Sequence, residues 1–153
     1  MKPLITVAIP MLDAERTLGR CLDALDAQTL QADRFEVIVV DNGCRDRSAE
    51  IARAHRRVRL LVEPRPGAYV ARNLAIGESR GDIVAFLDPD CEPVPGWLEA
   101  IARTFEDSSV RLACGVRRPA AGSVLLGSIG DYEAVKDEIV IGGDDPEIVY
   151  GYT

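Results

Sequence analysis

Lysine is nearly missing from this sequence, occurring only at Lys2 and Lys136. No Walker A segment exists, which excludes the lysine-bearing phosphate loop. Histidine occurs once, at His55, too few for a histidine-rich metal site and a poor basis for a Ser-His-Asp triad. His55 stands in the basic run His55-Arg56-Arg57 at a predicted helix end, and it reads as a surface residue favoured by the helix dipole. No Gly-x-Gly-x-x-Gly follows the first predicted strand, where Pro10-Met11-Leu12-Asp13 stands instead. A Rossmann dinucleotide site is therefore disfavoured. The cysteines Cys21, Cys44, Cys91 and Cys114 lie far apart in sequence. They make no zinc-ribbon or Cys-x-x-Cys spacing and read as reduced thiols of a cytoplasmic protein. No apolar run approaches the ~20 residues of a membrane span, so any membrane association is expected from regions outside this sequence. Met1-Lys2-Pro3 leads straight into a strand, with no signal-peptide pattern. Positive charge is also in deficit: 18 Lys and Arg against 25 Asp and Glu, a net charge of −7. That argues against non-specific nucleic-acid binding, which needs a basic footprint. It is compatible with a nucleotide held through a metal ion.

The 153 residues are enough for one domain with a substantial core. Up to about Val116 the pattern alternates strand and helix. Strands are predicted at 5–9 (stopped by Pro10), 35–40, 58–62, 83–87 and 110–116. Helices are predicted at 14–27, 46–54, 67–78 and from Pro95 to about Phe105. Leu18, Leu22 and Leu25 recur at helical spacing, one apolar stripe with Cys21 beside it. Val37-Ile38-Val39-Val40 is apolar at every position, as a strand buried on both faces requires. Short strands separated by helices imply right-handed βαβ units and a parallel sheet. Residues 117–153 are rich in Gly, Asp and Pro without a clear period, and the sequence reads as cut rather than finished at Val149-Tyr150-Gly151-Tyr152-Thr153.

The chemistry gathers at one predicted sheet edge. The apolar run Ile83 to Leu87 ends in Asp88-Pro89-Asp90. Asp13 and Glu15 follow the first strand, Asp41 follows the second and Glu63 ends the third. Open parallel sheets bind ligands at this carboxyl edge. A single acid after a strand is often only a cap or turn former; acids after strands one, two and four together are harder to explain so. Two carboxylates ~4 Å apart repel by roughly 4 kcal/mol at an effective dielectric near 20. Binding a hard cation such as Mg²⁺ or Mn²⁺ relieves that repulsion, and the cation then lets an anionic diphosphate approach. Arg72 and Asn73 fall in the first half of the third helix, near the same edge. They read either as a solvated face or as contacts to base, ribose or phosphate.

These residues resemble a known family. Val7-Ala8-Ile9-Pro10-Met11-Leu12-Asp13-Ala14-Glu15 is similar to the opening of family 2 glycosyltransferases. Val39-Val40-Asp41-Asn42-Gly43-Cys44-Arg45-Asp46 is similar to their Val-Asp-(Asp/Asn)-Gly-Ser-x-Asp segment. Gly67 to Asn73 resembles their Gly…Ala-Arg-Asn helix, and Gly81 to Leu98 their strand, Asp-x-Asp motif and following helix. The resemblance covers roughly residues 4 to 106. It implies a GT-A fold, α/β with a Rossmann-like, mainly parallel sheet and helices on both faces. Residues 1–116 would be the donor-binding domain and 117–153 the incomplete start of an acceptor-side region. It implies transfer of a sugar from a nucleotide-diphospho-sugar (UDP-, GDP- or dTDP-linked) to a saccharide, lipid or other acceptor. By the same resemblance, Asp41 accepts a hydrogen bond from the base, and Arg72, beside Asn73, lies near base and phosphates. Asp88 meets the ribose or the metal's water shell, and Asp90 ligates Mn²⁺ or Mg²⁺. Pro10, Met11 and Leu12, with Asp13 and Glu15, wall the nucleotide pocket. Leu12 stands where an aromatic is frequent, Asp13 where Asn is usual, and Cys44 where Ser is usual. The acceptor base of inverting members is expected beyond Thr153. The only late acidic pair, Asp144-Asp145, reads as a turn. Two other readings stand beside this one: a noncatalytic nucleotide-binding or assembly module, and a receiver-type signalling domain. A cut chain is also expected to self-associate through uncovered surface.

Overall fold

The computed structural model describes residues 2–115. The expected acceptor-side region, 117–153, with Asp144-Asp145, lies outside the described residues. Met1–Glu106 forms one compact unit; a second begins at Asp107. The elements of the first are β1 (Ile5–Met11), α1 (Leu18–Asp26), β2 (Phe35–Asp41), α2 (Ser48–Ala54), β3 (Val58–Val62), α3 (Ala68–Glu78), β4 (Ile83–Phe86) and α4 (Trp97–Thr104). The four strands form one sheet in the order β3-β2-β1-β4, and every pairing is parallel. The parallel sheet expected from the sequence is thus present.

The central strands are apolar on both faces because both faces are covered. Ile5, Val7, Ile9, Val37 and Val39 pack with Leu18, Leu22 and Leu25 of α1, Ala52 of α2 and Leu98 of α4. On the other face Ala8, Ile38 and Val40 meet Ala71 and Ala75 of α3. The second contact is built from small residues, so α3 lies close to the sheet. The chain reaches β2 on one side of β1 and later crosses to β4 on the other. The carboxyl ends of β1 and β4 therefore flank a topological switch point, where such sheets open a ligand crevice.

Several sequence-based boundaries are corrected. β1 does not stop at Pro10 but runs through it to Met11. Ala8 O accepts from Leu87 N at 3.1 Å, whereas Met11 O accepts from Asn42 N at 2.9 Å. Even-numbered residues of β1 thus face β4 and odd-numbered ones face β2. Pro10 turns its missing N–H toward β4, and the ladder on that side ends there, as proline requires. The first helix begins at Leu18, not Ala14, because residues 15–17 form a turn. The expected fifth strand is absent from residues 110–115, which carry no regular structure and no ladder among the described residues. Strand propensity alone does not make a strand without a paired edge.

Candidate functional site

The site is assembled by four loops at the carboxyl edge of the sheet. Asp41, only 9% exposed, ends β2 and folds the next turn onto itself. Its Oδ1 accepts from Gly43 N at 3.1 Å and from Cys44 N at 2.9 Å. This is the turn-forming role that aspartate plays through its short side chain. Both backbone donors converge on that one oxygen.

The β1–α1 and β2–α2 loops then lock together. Asp13, at φ 47° in the left-handed region, accepts from Arg45 N through Oδ1 at 2.7 Å. Ala14 N donates to Ser48 Oγ at 2.7 Å, and Glu15 N to Asp46 Oδ2 at 2.9 Å. Glu15 returns the contact, its Oε2 accepting from Arg47 N at 3.2 Å. Asp46 Oδ1 also accepts from Ser48 N at 2.9 Å and from the Ser48 hydroxyl. Burial opposes the charge of Asp46, but the hydrogen bonds from Ser48 and Glu15 outweigh it and hold the carboxyl below its ordinary range. Asp13 and Glu15 thus fasten one loop to the other, while Leu12 stands 60% exposed at the rim.

A third loop hangs on Asn42. Its Nδ2 donates to Glu63 O at 2.9 Å and Arg65 O at 2.7 Å, and its Oδ1 accepts from Gly67 N at 2.8 Å. Glu63 is buried and closes on Arg65 in a bidentate pair, with Oε1 to Nε at 3.0 Å and Oε2 to Nη2 at 2.8 Å. The Arg65 side chain first, and its backbone N–H second, pull the Glu63 carboxyl down to about 2. Gly67 then enters α3 at φ 127°, which side chains beyond glycine rarely adopt.

The fourth loop follows β4. Arg72 reaches from α3 to Asp88, Nη2 to Oδ1 at 3.1 Å, and also lies over the Tyr69 ring at 5.9 Å from its centroid. Cys91 N donates to Asp88 O at 3.1 Å, turning the chain back after Asp90. One ligand atom each from Asp88, Asp90 and Cys91 lies within 4.8 Å of the others. Gln28, just past the end of α1, anchors the segment after Asp90: Leu98 N donates to its Oε1 at 3.0 Å, and its Nε2 donates to Val94 O at 2.9 Å.

The structure therefore brings Arg72, Asp88 and Asp90 together, and places Asp41 with Pro10, Met11, Leu12, Asp13 and Glu15 on the same edge. Asn73 is exposed and makes no hydrogen bond or ion pair with this cluster among the described residues. A helix turns about 100° per residue, so the neighbour of Arg72 looks elsewhere. Asn42, Asp46 and Ser48 were not singled out as functional; the Asp46-x-Ser48 spacing before a helix was the available signal. His55 is corrected from a surface residue to a half-buried one. Its side chain is 16% exposed, with Nε2 3.3 Å from Asp26 Oδ2. Arg57 joins the same carboxylate at 2.8 Å, far from the crevice at the opposite edge. Among the described residues no cysteine is in a disulfide, and no helix is long and apolar enough to cross a membrane.

A doubly wound parallel sheet with acids gathered at its switch point is an α/β fold of the ligand-binding type. The comparisons agree. The family model for glycosyl transferase family 2 matches residues 6–130, and the chain belongs to that family. Glycosyltransferase AglE of Haloferax volcanii is 40% identical over 118 residues, 74% of this chain and 39% of that protein. An undecaprenyl-phosphate 4-deoxy-4-formamido-L-arabinose transferase of Pseudomonas aeruginosa is 34% identical over 140 residues, 84% of this chain and 37% of that protein. The fold matches S. aureus TarS 1-349 in complex with UDP-GlcNAc at TM-score 0.63 and 23% identity, covering 75% of this chain and 37% of that one. It also matches M. tuberculosis glucosyl-3-phosphoglycerate synthase, in complex with Mn²⁺, UDP and glucosyl-3-phosphoglycerate, at TM-score 0.53 and 29% identity, covering 61% and 36%. The chain spans less than half the length of these relatives. The fold is thus of the GT-A type, and family membership replaces the receiver reading.

Proposed function

We propose that this chain is the donor-binding portion of a glycosyltransferase that uses a nucleotide-diphospho-sugar, with UDP the first base to test. The observation that carries the reading is the Arg72–Asp88 pair beside Asp90, at the same carboxyl edge of the sheet at which β2 ends in Asp41. The complex of the M. tuberculosis synthase with Mn²⁺ and UDP supports it. Asp41 orients the base by accepting its N–H, while the turn it caps keeps the carboxylate in place. Pro10 to Leu12 wall the pocket, and the clasp through Asp13 and Glu15 holds that wall. Arg72 orients Asp88 toward the ribose and offers positive charge to the diphosphate. Asn73 is kept as a contact to the base or phosphates only if a bound donor reaches the exposed side of α3.

The donor set fits a divalent cation: carboxylates suit Mn²⁺ or Mg²⁺, and Asp90 is exposed and carries no guanidinium partner among the described residues. Asp90, with Asp88 beside it, would hold such an ion, which when bound supplies positive charge to the departing nucleoside diphosphate. The acceptor, a saccharide, a lipid or another hydroxyl compound, and the base that deprotonates it are assigned to regions outside the described residues. The test is calorimetric titration with UDP, GDP, CDP and dTDP, each with Mn²⁺, with Mg²⁺ and with chelator. One base should bind in a metal-dependent way, and Asp90→Asn should weaken it about tenfold or more. Binding of none, or binding indifferent to Asp90→Asn, would sink the reading.

A further inference from the structure

We propose that Cys91 is a protein ligand of the divalent cation at Asp88-Pro89-Asp90, and that its sulfur tilts the site toward Mn²⁺, Co²⁺ and Zn²⁺ over Mg²⁺. The inference rests on the donor-site reading above and adds to it the choice of metal.

The geometry begins with the turn. Because Cys91 N donates to Asp88 O at 3.1 Å, residues 88 and 91 close a tight reversal with Asp90 at its tip. Cys91 Sγ lies 3.7 Å from Asp90 Oδ1, and the three donor atoms fall within 4.8 Å of one another. Oxygen and sulfur ligands around one ion sit roughly 3–4 Å apart, given metal–ligand lengths of about 2.0–2.3 Å. A small closing of the turn brings all three into range.

Electrostatics then ranks the donors. Asp88 Oδ1 already receives the Arg72 guanidinium, whose charge opposes a second cation on that oxygen. Asp90 carries no such partner, but one carboxylate alone is a weak anchor. The sulfur beside it supplies the next protein ligand, its thiol proton passing to solvent as the metal–sulfur bond forms. Sulfur is a soft donor that Mg²⁺ accepts poorly and later first-row ions accept well.

Two of the other thiols, Cys21 and Cys44, do not compete. Cys21, whose Sγ faces Asp88 O at 3.8 Å, is buried in the core. Cys44 also lies near two acids, Asp13 and Asp46. Those carboxylates are occupied by Arg45 N, Glu15 N and Ser48, so that cluster is a structural knot.

The experiment titrates the full chain with Co²⁺ while recording the absorption spectrum, and measures Co²⁺, Zn²⁺, Mn²⁺ and Mg²⁺ affinities by calorimetry. A near-ultraviolet sulfur-to-cobalt charge-transfer band is expected. Cys91→Ser should abolish it and lower Co²⁺ and Zn²⁺ affinity about tenfold or more, with Mg²⁺ affinity nearly unchanged. Cys91→Ala is the second variant, since Cys91 also packs against the core and alanine keeps an apolar contact. A band that survives both substitutions, or equal loss for all four ions, overturns the proposal. If Asp90→Asn weakens Mn²⁺ binding while the Cys91 variants leave spectrum and affinities unchanged, only the role of Cys91 falls. If Asp90→Asn changes nothing, the donor-site reading falls with it.

Discussion

Three side chains of the site act by holding backbone rather than by facing solvent. Asn42 uses both ends of its amide to tie β2 to residues 63–67. Asn42→Ala leaves these partners unpaired, and the expected cost is about 1–3 kcal/mol in chemical denaturation, with faster amide exchange at Gly67. Glu63 gives a pH signature. Its folded carboxyl lies at about 2, against 4.5 for the ordinary group. A depressed carboxyl stabilises the fold above the ordinary value and loses that contribution as pH falls toward the folded one. Melting temperature should therefore fall between about pH 4.5 and 2, and Glu63→Gln should flatten that part of the profile. Cys44 has the opposite sign: burial raises its thiol to about 11 from 9.0. Its neutral form stabilises the loop below pH 9.0, and the contribution fades as pH rises through about 11. Gly81 is constrained by space. A Cβ there would lie 2.6 Å from Thr6 N and 2.8 Å from Ile5 C. Gly81→Ala must push backbone from backbone, with an expected loss of about 1–3 kcal/mol.

At the scale of elements, the two faces of the sheet differ in tolerance. α1 buries Leu18, Leu22 and Leu25 as a full stripe, so Leu22→Ala should cost about 2–5 kcal/mol through the cavity it leaves. α3 instead rests on Ala71 and Ala75, and there the hazard is excess volume. Ala75→Leu should cost about 1–3 kcal/mol and lift α3 from the sheet. Because Arg72 rides on that helix, nucleotide affinity should fall more than it does for Leu22→Ala at matched residual stability. The stripe of α1 was legible in the sequence because helical spacing records one buried face. The start of α1 was not: Ala14 and Glu15 obey contacts to Ser48 and Asp46, more than thirty positions away. The passage of β1 through Pro10 was hidden for a related reason. Whether a missing N–H matters depends on which neighbouring strand it faces. His55 was misjudged in the same way, since its partner Asp26 sits on another helix.

At the scale of the whole molecule, net charge bears on how the proposed donor would approach this chain. A chain at −7 repels a nucleoside diphosphate at long range, and the acids at the crevice repel it at short range. Removing divalent metal with chelator should therefore weaken UDP binding about tenfold or more, about 1.4 kcal/mol. Raising salt without metal should recover only part of that loss, because screening reaches the distant charges more than the near ones. The sequence by itself determined the alternating βαβ order, the doubly buried strands and the ends at which Asp41, Asp88 and Asp90 emerge. Those properties are local: period, length and chain direction place them. Only the tertiary structure decided what each acid does there. A carboxylate is written identically whether it caps a turn, as Asp41 does, clasps a neighbouring loop, as Asp13 and Glu15 do, or faces a guanidinium, as Asp88 does. The difference is set by donors that arrive from distant parts of the chain.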